Sequence, residues 1–257
     1  MYYLSVGACF KNEAHCIVEW LEHYLLHGVE HFYLVNDGST DNTVEKLHPY
    51  IEKGIITLFT ESNHPYYQGR QRNLYNKHIL PRINNKETTW CIMLDLDEFL
   101  WSEKEVDLRR IFAQLHHLGQ VQFTVTLFGS NGHVQQPESL IEAFTKRSKD
   151  LITPNPKCLK YAVHSRFKFS SLNVHHADFW TKEEETNHFQ HIKEPWFRLN
   201  HYSCQSREFW DLTKCKRGDA DHWYQRGPEH FVNYDYNEIE DLGLLEQNRI
   251  ERQKTAL

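Results

Sequence analysis

The stretch "WCIMLDLDEFLW", residues Trp90 to Trp101, decides how the chain is read. Its first five residues are mostly apolar, as in a buried strand, and it then sets Asp95 and Asp97 one residue apart. Side chains alternate along a strand, so both carboxylates are expected on one side, with Leu96 and Glu98 turned the other way. Two carboxylates that close repel and resist burial together. A hard divalent cation such as Mg²⁺ or Mn²⁺ removes the conflict and keeps positions open for phosphate oxygens. The alternative is a helix-capping role, for which Ser102, just before "EKEVDLRRIF", is better placed.

Working outward, the chain before this strand alternates between strand and helix. Residues 2–10 are a mostly apolar, strand-like run. "KNEAHCIVEWLEHYLLHG" then keeps helical spacing at positions 14, 17, 18, 21, 24 and 25, with Asn12 as cap and Gly28 as stop. "HFYLV" (31–35) and "IITLF" (55–59) read as further strands, separated by the turn "NDGST" and a helix. Another helix is expected over about 68–80. This alternation predicts an α/β fold with a mostly parallel sheet flanked by helices, and continuous apolar strands agree with burial on both faces.

Beyond residue 103 the pattern loosens into a mixed α+β half. It predicts a helix near 105–117, a strand over 121–128, a helix in "ESLIEAFTKR", short strands in "CLKYAV" and "SLNVHH", and a solvated acidic loop at 183–185. The last 55 residues read as polar helices. One domain over 1–257 is expected, made of two halves, 1–102 and 103–257.

Composition narrows the function classes. With 257 residues, 40% of them hydrophobic, the chain is long enough for one large α/β core. A net charge of −6 argues against nucleic acid held by the overall field, so a phosphate ligand must meet local groups or a metal. No run is apolar and long enough for a transmembrane helix, and no basic leader precedes the first strand. The six cysteines show no close pairing and read as reduced thiols. A cytoplasmic location is therefore expected, with peripheral attachment to a membrane compatible with it. The eighteen histidines are mostly scattered singly and read as surface or packing residues.

In an open α/β sheet, ligands bind beyond the carboxyl ends of the strands. Three predicted strands end there in polar clusters: Lys11-Asn12-Glu13, Asn36-Asp37-Gly38-Ser39 and Asp95-Leu96-Asp97. Asp37 could accept from a base N–H or a ribose hydroxyl, or could simply serve the turn. In "GRQRN" (69–73), Arg70 and Arg72 sit near a helix start, where cations oppose the dipole. They make more sense facing an anion, either a diphosphate or Asp95, or else form a solvated face.

Together, "KNEAHCIVEWLEHYLLHGVEHFYLVNDGSTDNT", "GRQRN" and "IMLDLDEFL" resemble the GT-A class of nucleotide-sugar glycosyltransferases, in its family-2-like and family-92-like branch. "FGSNGH" (128–133), "KCLKYAVHS" (157–165) and "LNHYSCQSREFWDLTKCKRG" (199–218) extend the resemblance over roughly 5–218. It implies a GT-A fold, a nucleotide-sugar donor bound with Mn²⁺ or Mg²⁺, and transfer of the sugar to a hydroxyl of a glycan or glycoconjugate. Residues 1–102 would bind the nucleotide sugar and 103–257 the acceptor. By motif, Asn12, Glu13, Asp37, Arg70, Arg72 and Asp95 would meet the nucleotide, and Asp95 and Asp97 the metal. His201 in "NHY" would complete the metal shell, its alternative being a core histidine bonded to backbone. Gln205 departs from the family, which more often has Lys there; Arg207 or Lys214 would replace that phosphate contact.

Inversion, the expected course, needs a general base opposite the diphosphate. Asp178, beside Phe179 and Trp180, is chosen over Glu142, Glu183 to Glu185, Glu194 and Glu208; retention would need no base. Trp180, Trp196, Trp210 and Trp223 are candidates for an acceptor groove. Two other readings are weighed. A sugar-phosphate nucleotidyltransferase would need more glycine than "VGACFKNE" offers, and a non-catalytic nucleotide- or carbohydrate-binding module would have no need of an intact Asp95/Asp97 pair.

Overall fold

The parallel pattern of the N-terminal half is realised as four adjacent strands. In the computed structural model, which describes residues 1–62, 67–150, 159–192, 196–217 and 226–255, β1 (Tyr2–Phe10) pairs in parallel with both β2 (His31–Asp37) and β4 (Thr88–Met93). Outside β2 lies parallel β3 (Ile56–Glu61). The inner strands are buried almost throughout, which is why they read as continuous apolar runs rather than alternating ones.

The later strands are β5 (Glu98–Trp101), β6 (Gln120–Leu127), β7 (Lys146–Arg147), β8 (Leu159–His164), β9 (Phe169–Leu172), β10 (Ala177–Phe179), β11 (Phe189–His191), β12 (Arg198–His201) and β13 (Ile239–Glu240). Of these, β8, β6, β12 and β5 continue the same sheet, in the order β3-β2-β1-β4-β8-β6-β12-β5, with β11 pairing beside β6, whereas β9 with β10 and β7 with β13 form two-stranded sheets of their own. β8 runs antiparallel to β4 and β6, and β5 antiparallel to β12. The sheet is thus mostly parallel at one end and mixed at the other, and strands of both halves share it.

The helices are α1 (Ile17–Leu26), α2 (Thr43–Glu52), α3 (Arg70–Leu74), α4 (Leu80–Asn84), α5 (Leu108–Gln114), α6 (Leu140–Ala143), α7 (Lys182–His188), α8 (Arg207–Phe209), α9 (Cys215–Arg217) and α10 (Gly243–Thr255). Two apolar cores lie against the sheet. One contains Trp20, Tyr24, Trp90, Phe99, Trp101 and Phe112, and the other Tyr33, Tyr75, Tyr161, Phe169 and Phe179. Among the described residues, no helix is long and apolar enough to cross a membrane. Among the described residues, Cys9, Cys16, Cys91, Cys204 and Cys215 form no disulfide, and Cys158 lies outside them.

Several local expectations are corrected. Asn12 does not cap α1. It takes a left-handed backbone (φ 57°), and its Oδ1 accepts from the Thr40 amide at 2.7 Å, knitting the loop after β1 to the loop after β2. α1 does stop at Gly28, whose φ of 87° favours glycine. α5 is capped by Asp107, which accepts from Arg109 N, rather than by Ser102. The acidic run 183–185 is not a loop. It is the first turn of α7, where acids suit the dipole and Thr181 caps, although the segment is solvated as expected. "SLNVHH" forms a strand only in its first two residues. The helix expected over 68–80 is interrupted between α3 and α4 by a π-helical turn, Tyr75–Ile79, a form found frequently at functional sites. Trp210, expected in an acceptor groove, is 1% exposed and packs on Phe231 and Tyr234. Trp180 is exposed, Trp196 packs partly against the core, and Trp223 lies outside the described residues.

Candidate active site

The sheet register brings the acidic cluster together. β4 ends at Met93, and the chain makes a tight turn before β5, closed by Glu98 N–H donating to the Asp95 carbonyl at 3.2 Å. The two aspartates therefore sit in a turn, and strand alternation does not govern them. Leu96 is buried away in the core. Glu98, expected on the opposite face, joins the cluster: it is 1% exposed and its Oε2 accepts from the Asp95 amide at 2.9 Å. α1 clamps the turn from below. Trp20 Nε1 donates to the carbonyls of Asp95 (3.1 Å) and Glu98 (3.0 Å), and the Tyr24 hydroxyl donates to the latter at 2.9 Å.

Neighbouring strands deliver the cations. Tyr161 of β8 is registered on Met93 of β4, so Lys160 reaches the turn. Its buried ammonium lies 2.6 Å from Asp95 Oδ2 and 3.4 Å from Glu98 Oε2. In β12, His201 is registered on Glu98, and the Tyr202 amide donates to the Asp97 carbonyl. This sets His201 Nε2 3.4 Å from Asp97 Oδ1. Lys214, at the end of a second π-helical turn (Trp210–Lys214), brings Nζ to 3.2 Å from Asp97 Oδ2.

The electrostatics follow from this packing. Burial pushes the Asp97 carboxyl up, but Lys214 and His201 outweigh it and hold it well below the carboxylate range. Burial raises Glu98 to about 7, with Lys160 opposing, so Glu98 keeps a proton for part of the time at neutral pH. Burial lowers the His201 imidazole, yet Asp97 and Glu98 more than offset it, and its affinity for a proton ends above the ordinary value. Two ammonium groups thus face two aspartates, with Glu98 buried beside them.

The carboxylates of Asp95 and Asp97 and the His201 imidazole are donors that a hard divalent ion accepts, but their ligand atoms do not all lie within 4.8 Å of one another, so holding an ion would require them to close around it. Such an ion would compete with Lys214 for Asp97. Lys160, 4% exposed at its side chain, is held between Asp95 and Glu98.

The other expected residues are placed as follows. Arg70 does not face Asp95. Its guanidinium grips Asp37, with Nε 2.8 and 2.9 Å from the two carboxylate oxygens and Nη2 bonded to Oδ1 as well. Gln71 meets Asp95 instead, its amide donating to Oδ1 at 2.9 Å. Arg72 is exposed. The Glu13 amide donates to the Thr43 hydroxyl at 3.0 Å, so Asn12 and Glu13 are held at the carboxyl end of β1, beside Asp37 at the end of β2. Asp178 lies on the β9–β10 hairpin, half exposed, taking a hydrogen bond from the Ser171 hydroxyl and lying 3.2 Å from His176 Nε2. Among the alternatives, Glu142 and Glu183 to Glu185 lie on α6 and α7, Glu208 is on α8 close to the Lys214 segment, and Glu194 lies outside the described residues.

Lys160, Glu98 and Gln71 are site residues that the sequence reading missed. A lysine buried in an apolar strand, in "CLKYAV", was the available signal.

The sequence matches glycosyltransferase family 92 over residues 3–242, nearly the whole chain. The chain belongs to that family. The family-92-like resemblance is thereby established. No curated protein matches the chain. Among solved structures, Staphylococcus aureus TarS 1-349 is similar at 16% identity, covering 81% of this chain and 62% of that one, with a TM-score of 0.44. Its complex with UDP-GlcNAc gives 15% identity, 90% and 64% coverage and a TM-score of 0.45. HddC from Yersinia pseudotuberculosis gives 12%, 75%, 90% and 0.38. These likenesses are loose and add nothing to the family assignment, and the chain spans less than two thirds of TarS 1-349 in the first and second comparisons.

Proposed function

We propose that the chain transfers a sugar from a nucleoside-diphosphate donor, UDP- or GDP-linked, to a hydroxyl of a glycan or glycoconjugate, with a divalent ion at the Asp95-Asp97 turn. The observation that carries this reading is the placement of Asp95 and Asp97 just beyond the carboxyl end of β4 with His201 Nε2 3.4 Å from Asp97 Oδ1, in a family-92 chain.

Asp95, Asp97 and His201 would hold Mn²⁺ or Mg²⁺, which when bound offsets the charge that develops on the departing diphosphate. Lys160 and Glu98 keep Asp95 oriented, and the Trp20 and Tyr24 clamp keeps the turn rigid. Lys214, released from Asp97, would bring a positive charge to the phosphates. Asp37 and Asn12, at the ends of β2 and β1, would meet the nucleoside on that edge, with Arg70 fixing the Asp37 carboxylate. Asp178 is proposed as the base that takes the acceptor proton in an inverting transfer.

A thermal-shift panel of nucleotide sugars with and without Mn²⁺ tests the reading. A UDP- or GDP-sugar is expected to raise the unfolding temperature only with Mn²⁺, and Asp97→Ala to abolish the shift. Stabilisation that is equal without metal, or equal in Asp97→Ala, contradicts it.

A further inference from the structure

The turn between β1 and α1 gathers three donor atoms whose chemistry differs from that of the acidic cluster. Glu13 Oε2 lies 3.6 Å from Cys16 Sγ and 3.9 Å from His15 Nδ1, and all three donors fall within 4.8 Å of one another. Ligands about 2.0–2.3 Å from a tetrahedral ion lie roughly 3.3–3.8 Å apart, so these spacings need little closure.

The direction of a neighbouring hydrogen-bond chain bears on His15. The Ser206 hydroxyl donates to Gln136 Oε1 at 2.7 Å, with the Ser206 amide, which can only donate, 3.4 Å from the same oxygen. Gln136 must then present its NH₂ to Gln205 Oε1, at 2.8 Å. Gln205 Oε1 is therefore an acceptor, and His15 Nε2, 3.1 Å away, donates its N–H to it. In the neutral imidazole that directs the Nδ1 lone pair toward Glu13 Oε2, itself the acceptor of the Cys16 thiol, so that a cation replacing the thiol proton would meet all three donors. An imidazole that ligates through one nitrogen and donates its other N–H to a carbonyl oxygen is the usual arrangement around a protein-bound metal. The turn is also pre-built: the amides of Asn12, Glu13 and Ala14 donate to Ser39, Thr43 and Asp41.

We propose that Glu13, His15 and Cys16 form a second metal site, selective for a borderline ion of the Zn²⁺ class and separate from the Asp95-Asp97 site. Burial and the neighbouring Glu13 carboxylate hold the Cys16 thiol well above its ordinary range, so binding forms the metal–sulfur bond only as the metal displaces the thiol proton, which passes to water. The thiolate disfavours Mn²⁺ and Mg²⁺, which separates the two sites by ion chemistry. Gln205 serves as the positioning residue for His15.

Titration of the metal-free protein with Co²⁺ tests this by absorption. A thiolate-to-cobalt charge-transfer band is expected in the wild type and in Asp97→Ala, and its loss in Cys16→Ser. His15→Gln, at a partly exposed position, covers failure of Cys16→Ser to fold and is expected to weaken Zn²⁺ binding at least tenfold. Gln205→Met is expected to weaken it roughly 10- to 100-fold. The proposal is overturned if the wild type shows no charge-transfer band, if Cys16→Ser keeps it, or if His15→Gln binds Zn²⁺ as the wild type does. The last result would mark His15 as an imidazolium paired with Glu13. None of these readouts depends on nucleotide binding or turnover.

Discussion

Lys214 Nζ lies 3.2 Å from Asp97 Oδ2, so an ammonium already faces the carboxylate that a divalent ion would use. The residue stands at the end of a π-helical turn and packs over the Phe209 ring, so a rotation of its own stem would free Asp97. Lys214→Met should therefore raise Mn²⁺ affinity in the absence of nucleotide, on the order of tenfold, because a competing cation is gone. The same variant should lower sugar transfer, because the diphosphate loses a positive partner. Calorimetric Mn²⁺ titration alongside a turnover assay reads both effects.

Lys160 is a different kind of lysine. It is 4% exposed at its side chain and bridges Asp95 and Glu98. Lys160→Met would leave the buried Glu98 and the partly exposed Asp95 without their cation, at a cost of roughly 3 kcal/mol. The double variant Lys160→Met/Glu98→Gln should recover part of that loss, since one of the orphaned acids is then neutral. Urea unfolding of the two variants measures the difference.

Glu98 makes the metal-free protein sensitive to pH. Its carboxyl, 4.5 in the unfolded chain, is raised to about 7 in the folded one. Between these values the unfolded chain has lost a proton that the folded chain keeps, so this residue's contribution to stability falls as pH rises. The fall amounts to roughly 3 kcal/mol across that window. Glu98→Gln should show little loss there, so the gap between the variant and the wild type should widen from pH 5 to pH 7.5 in urea unfolding.

The parallel half of the sheet was legible because parallel strands are buried on both faces, and "HFYLV" and "WCIML" carry that burial in every residue. The meeting of Asn12, Asp37 and Asp95 on one edge followed from that topology. The contacts between them did not. Alternation was applied to Asp95-Leu96-Asp97-Glu98 as though the strand continued, whereas the chain turns after Met93 and folds Glu98 back into the cluster. Lys160 was missed for a related reason: its strand is antiparallel to β4, and pairing between segments some 65 residues apart leaves no periodicity to read. Arg70 was expected to face a diphosphate or Asp95, whereas its guanidinium is taken by Asp37 of neighbouring β2.

That ion pair gives a further test. Arg70 holds Asp37 through Nε and Nη2, a fork that a lysine cannot reproduce. Arg70→Lys should cost roughly 1.5–3 kcal/mol in stability. It should also weaken nucleotide binding more than Arg72→Ala does at its exposed position, as read by thermal shift with UDP or GDP plus Mn²⁺.

The central claim is that Asp97 exchanges Lys214 for a divalent ion when the nucleotide arrives. Electron paramagnetic resonance of Mn²⁺ tests it directly, because the sharp signal of free Mn²⁺ fades on binding. Wild-type protein with UDP or GDP should remove the free signal in a one-to-one titration, and Asp97→Ala should leave it in place. A signal that the wild type does not diminish, or that Asp97→Ala diminishes equally, would contradict the account.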